Sequence, residues 1–146
     1  MQSTRTSMLK RKTGIAGIVA AAFLLASPLV LAATSPVTLT GAQEVPAVTT
    51  SATGDAKITV GADKSVSGTI TTTGIAGTMA HIHMGALGKN GKVLVNLEKT
   101  SDNVWSVPAN TKLTDEQYKM YQDGELYVNV HSADHKSGEI RAQLKP

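Results

Sequence analysis

Four histidines stand in two short clusters, His81-Ile82-His83 and His131 with His135. In an extended strand alternate side chains share a face, so Met79, His81 and His83 point one way and Ala80, Ile82 and Met84 the other. Two imidazoles at i and i+2 can converge on one ion, and nitrogen donors of this kind suit copper or zinc. The second cluster follows Tyr127-Val128-Asn129-Val130, where Tyr127, Asn129 and His131 share a face. His131 ends that strand, and His135 lies in the loop after it, placed to fold back. The expected ligand set is therefore His81, His83, His131 and His135, with copper favoured over zinc. It requires the two strands to approach one another. Met79, on the histidine face, is a candidate axial ligand, and Met84 is a second soft donor on the other face. Asp134 can orient an imidazole or simply serve its turn. A competing reading holds no metal: the histidines and Asn90 fix loops by hydrogen bonds.

Other chemistry finds little footing. The chain contains no cysteine, hence no disulfide, thiolate ligand or cysteine nucleophile. It has no G-x-S-x-G and no paired carboxylates of the glycosidase kind. Gly85, Gly88 and Gly91 recur by threes, but no strand–loop–helix unit follows for a nucleotide. The reading is therefore of a binding protein and not an enzyme. Glu139 and Arg141, at i and i+2, read as a salt bridge or sheet-edge charges, and Trp105 as a core or rim anchor.

The elements that must carry the histidines are mostly strands. Thr and Val dominate, and short alternating runs recur. Ala56 to Val60, a turn at Gly61 to Lys64, and Ser65 to Thr72 make a hairpin. Met79 to Met84 is a strand, Gly85 to Gly91 a glycine-rich loop, and Lys92 to Leu97 the next strand. Val104 to Val107, Tyr127 to His131 and Glu139 to Leu144 complete the set. One segment is helical: Thr114 caps it, Gln117 completes a capping box, and Gly124 ends it. Asp115 and Glu116 suit the positive end of its dipole. The expected fold is all-β, an antiparallel Greek-key β-sandwich or barrel with one short helix near 114–123.

The N-terminus is of another kind. Arg5, Lys10, Arg11 and Lys12 precede an apolar run from Ile15 to Ala26, and small residues follow at Ala32-Ala33. That order is expected of a secretory signal peptide over residues 1–33, cleaved after Ala32 or Ala33, with a retained membrane anchor as the alternative. The rest, residues 34–146, forms one β domain. Losing those four basic residues leaves 10 basic against 11 acidic residues. The basic character of the whole chain thus belongs to the leader, and neither nucleic acid nor, after cleavage, a membrane is an expected partner.

Four blocks carry a family likeness: Leu39-Thr40-Gly41-Ala42-Gln43-Glu44-Val45-Pro46; Ala80-His81-Ile82-His83 with Gly85, Gly88, Asn90 and Gly91; Gly124 to His131; and Gly138-Glu139-Ile140-Arg141. In this order they resemble the CHRD domain, named after chordin and found also in secreted bacterial proteins. The chain departs from the family's pattern at Ser132, at Asp134-His135-Lys136-Ser137 and at Ala142. His135 is thus not a family residue. The resemblance implies an all-β extracellular domain and, by its place in chordin, a non-catalytic role. The H-x-H strand also resembles, by local pattern only, the copper strand of Cu/Zn superoxide dismutases. Together these readings imply a periplasmic or extracellular copper-binding protein for copper sequestration, delivery or tolerance, whose partners are the metal ion and another exported protein. The alternative is a metal-free extracellular interaction domain.

Overall fold

The computed structural model describes residues 36–146; the expected signal peptide and its cleavage point lie outside them. The strands are β1 (Val37–Thr40), β2 (Thr53–Val60), β3 (Val66–Thr73), β4 (Gly77–Met84), β5 (Val93–Asn96), β6 (Glu98–Ser101), β7 (Val104–Ser106), β8 (Leu126–Ser132) and β9 (Ile140–Gln143). One helix, α1 (Asp115–Gln122), lies between β7 and β8. Every strand pair is antiparallel, and the sheet order is β5-β4-β8-β9-β1-β2-β3-β7-β6.

The two ends of that order nearly meet. β5 and β6 stand at opposite edges, yet only Leu97 separates them in sequence. The Leu97 N–H donates to Ala80 O at 2.9 Å, and Lys99 Nζ reaches Gly77 O at 3.0 Å. One extended segment therefore leaves β4 and joins β7, and the sheet nearly closes into a barrel. Near-closure of this kind shields the edges that invite wrong pairing. The non-consecutive neighbours β4–β8, β1–β9 and β3–β7 give the crossed connectivity expected of an all-β Greek-key fold.

The barrel interior is aliphatic. Leu39, Ile70, Ile82, Val128, Val130 and Ile140 are each at most 1% exposed. Each contributes ~1.5–3 kcal/mol by its burial. Trp105 is core, not rim, at 2% exposure. The helix forms where its capping box is written: Gln117 N–H donates to Thr114 Oγ1, and Thr114 N–H to Gln117 Oε1. It buries Tyr121 and ends at Gly124, which takes φ +74°.

Candidate metal centre

Strand alternation puts Ala80 and Ile82 of β4, and Val128 and Val130 of β8, into the core. The intervening residues line the outer face of the barrel. The β4–β8 register sets Met79 opposite His131, His81 opposite Asn129 and His83 opposite Tyr127. Diagonal neighbours on such a face come within reach of ring side chains. His81 Nδ1 lies 2.9 Å from His131 Nε2, and the His81 and His83 ring centroids are 5.4 Å apart. One nitrogen from each of His81, His83 and His131 falls within 4.8 Å of the other two. Bonds of ~2.0–2.1 Å to one ion place ligand nitrogens ~3–4 Å apart, so small ring rotations complete a site.

The hydrogen bonds around this trio do not balance. His83 Nδ1 is 3.0 Å from Gly91 O, and His131 Nδ1 is 2.8 Å from Lys136 O. Carbonyls only accept, so each ring gives its single neutral N–H there. Both Nε2 atoms then carry lone pairs. Yet each faces Asn129 Oδ1, itself an acceptor, at 3.0 Å. Turning the Asn129 amide end for end would satisfy both imidazoles but set its oxygen against the Glu44 carboxyl. That moves the deficit without removing it. A metal ion held by the facing lone pairs would close the arrangement.

Loops press the trio into place. Tyr127 stacks on His83 with centroids 4.7 Å apart and planes 4° from parallel, and the Arg141 guanidinium sits 3.5 Å from the Tyr127 centroid on β9. Arg141 also donates to Lys89 O at 2.9 Å and Asn90 Oδ1 at 3.2 Å. Asn90 in turn donates to Val45 O at 2.7 Å, and Gln143 holds Gly85 O at 2.8 Å. The 85–91 loop is thereby fixed with the Gly91 carbonyl on His83. A Cβ at Gly91 would strike Met84 O, so the loop passes β4 too closely for any other residue. Gly138 has φ +128°, and a Cβ there would collide with Glu44 Oε1 and Asn129 Nδ2.

A family model for the CHRD domain matches residues 35–144. The chain belongs to the CHRD family. Comparison with curated proteins and with solved structures finds no match.

In this CHRD domain burial favours the neutral form of His81 and His83. Burial, then the neighbouring His131 and His83, push His81 down to about 4, and burial lowers His83 as well. Neutral imidazole is the form that binds metal. The same shift makes metal-free stability pH-dependent. Unfolded histidine takes up a proton below ~6.5, whereas folded His81 does so only near 4. The unfolded state therefore binds more protons in that window, and stability falls as pH drops from ~6.5 to 4. Discounting for solvent screening of a partly exposed ring, the loss from His81 is about 2 kcal/mol. Urea midpoints of metal-free protein at pH 7.5, 5.5 and 4.5 will show the decline; a flat profile would contradict it.

The fourth expected ligand does not join. His135 is outside the group of close nitrogens. Its backbone instead shapes the turn, N–H donating to Ser132 Oγ at 3.2 Å and carbonyl accepting from Gly138 N–H at 3.1 Å. Met79 lies on the histidine face opposite His131 and is 47% exposed, while Met84 packs against the core. Asp134 is exposed, and the imidazole-orienting partners are the Gly91 and Lys136 carbonyls. Arg141 is no edge charge: β9 is an inner strand and the side chain is 1% exposed. Glu139 accepts from Thr50 Oγ1 at 2.8 Å. Sequence reasoning missed Asn129 and Glu44 at the site, although Asn129 stands two residues before His131 on its own face. Glu44, 6% exposed, has its pKa raised by burial and pulled back by Arg141 and Asn129.

Proposed function

We propose that this CHRD domain is an exported copper-binding domain, serving copper sequestration, delivery or tolerance and not catalysis. What supports the reading is the convergence of His81, His83 and His131, two of them with Nδ1 held by a backbone carbonyl and Nε2 turned to a common point. A carbonyl on the far nitrogen fixes tautomer and orientation, as second-shell groups do for metal-bound histidine. Among divalent ions, imidazole sites bind Cu(II) most tightly, and the chain has no cysteine to favour another metal. Met79, exposed beside His131, is the available soft donor for a reduced ion.

Titrating metal-free protein with Cu(II) and Zn(II) tests this. We expect one equivalent of Cu(II) to bind with nitrogen couplings in the EPR spectrum. Free Cu(II) at ~1,000 times Kd should stabilise the fold by ~4 kcal/mol and raise the melting midpoint by roughly 15 °C. Zinc should bind more weakly. The metal-free alternative draws on the same carbonyl contacts as loop anchors. It expects no nitrogen couplings and a midpoint indifferent to copper, and that result would end the copper reading.

A further inference from the structure

The geometry points to Asn129 as a fourth donor to the ion, binding through Oδ1, with the Glu44 carboxyl behind it as the balancing charge. This rests on the histidine trio being a metal site. Adjacent donors around one ion with bonds of ~2.0–2.1 Å stand ~2.8–3.4 Å apart in square or tetrahedral geometry. The contacts run His81 to His131 at 2.9 Å, His131 to Asn129 at 3.0 Å and Asn129 to His83 at 3.0 Å. Those are three successive edges of one coordination polyhedron. His81 Nδ1–H can donate to His131 Nε2, but both Asn129 contacts set lone pair against lone pair, because the Nδ1 protons of His83 and His131 are committed to carbonyls. An ion at the centre turns the repulsion between lone pairs into four bonds.

Asn129 is built to hold that place. It is 2% exposed on β8, paired across to His81 on one side and Arg141 on the other, so its Cα is locked between inner strands. Its amide nitrogen is turned toward Glu44 in the space left open by Gly138. Glu44 Oε1 is buried and makes no hydrogen bond of good geometry. When Oδ1 binds a cation, the amide polarises and its N–H becomes a stronger donor toward that carboxylate. The neutral imidazoles and amide leave a divalent ion uncompensated, and Glu44 supplies negative charge one residue away. Three nitrogens and a hard amide oxygen suit Cu(II) or Zn(II) and disfavour Cu(I). The site is thus assigned to the divalent ion.

The test uses full-length protein with labelled side-chain amides, titrated with diamagnetic Zn(II) and followed by NMR. The Asn129 13Cγ resonance should move and saturate at one equivalent, together with the rings of His81, His83 and His131. In competition titrations Asn129→Leu should lose at least ~10-fold in Zn(II) and Cu(II) affinity. Asn129→Asp, which keeps an oxygen there, should bind at least as tightly as the natural chain. If the histidine signals move while 13Cγ stays and Asn129→Leu binds like the natural chain, the fourth-donor assignment fails and the trio stands. If no histidine signal moves, the metal site itself is wrong and Asn129 falls with it. Should Asn129→Leu not fold, the 13Cγ response of the natural chain decides.

Discussion

Alanine in place of His131 is expected to abolish stoichiometric copper binding. His131 is the hub of the trio: Nε2 meets His81 at 2.9 Å and Asn129 at 3.0 Å, while Lys136 O holds Nδ1. Losing an outer-shell partner of a metal site costs ~10–100-fold in affinity, so losing a direct ligand should cost more than 100-fold, or over ~3 kcal/mol. His81→Ala and His83→Ala should follow in the same direction. His135→Ala should bind as the natural chain does, because His135 stands outside the cluster. The measurements are Cu(II) affinity by competition and nitrogen couplings by EPR. Full binding by His131→Ala, or loss on His135→Ala, would sink the assignment.

The same variant separates the metal site from a loop anchor through stability without metal. A satisfied buried hydrogen bond lost to truncation costs ~1–3 kcal/mol. The trio in its neutral form is not satisfied, since two Nε2 lone pairs oppose an amide oxygen. Removing His131 relieves part of that opposition while releasing the Lys136 carbonyl and the His81 ring, so gain and loss offset. Metal-free His131→Ala should therefore melt close to the natural chain, while the metal-loaded proteins differ widely. Functional sites often carry such local cost.

Much of this is legible in the sequence. Alternation in β4 and β8 sorts each residue to core or outer face, and local side-chain chemistry writes the capping box of α1. What alternation cannot give is register or strand order. That Met79 faces His131, and so that the two clusters meet, depends on which strands pair. His135 stands outside the trio because nearness in sequence is not nearness in space. A tight turn from Ser132 to Gly138 uses that residue's backbone instead. β6 was missed because Glu98-Lys99-Thr100-Ser101 is exposed throughout and shows no apolar face. The i, i+2 spacing of Glu139 and Arg141 suggests a salt bridge or edge charges, but strand order is not in the spacing, and the order places β9 between β8 and β1.

That buried arginine gives the largest expected effect on folding. Arg141→Ala should destabilise the domain by ~3–5 kcal/mol, the usual cost of breaking a buried charged network by removing one partner. The loss has three parts. The guanidinium leaves the Tyr127 face at 3.5 Å, the Lys89 carbonyl and Asn90 amide lose their donor, and buried Glu44 loses the cation that lowers its pKa. Arg141→Lys should recover little, because an ammonium cannot stack flat on Tyr127 while reaching two loop acceptors at once. Urea unfolding of both variants checks this; a change within ~1 kcal/mol for Arg141→Ala would refute it. Binding should suffer in step. Arg141 holds the loop whose Gly91 carbonyl orients His83, so a freed loop leaves that ring without its fixed tautomer. Copper should then recover part of the lost stability in Arg141→Ala, since it binds only the folded chain.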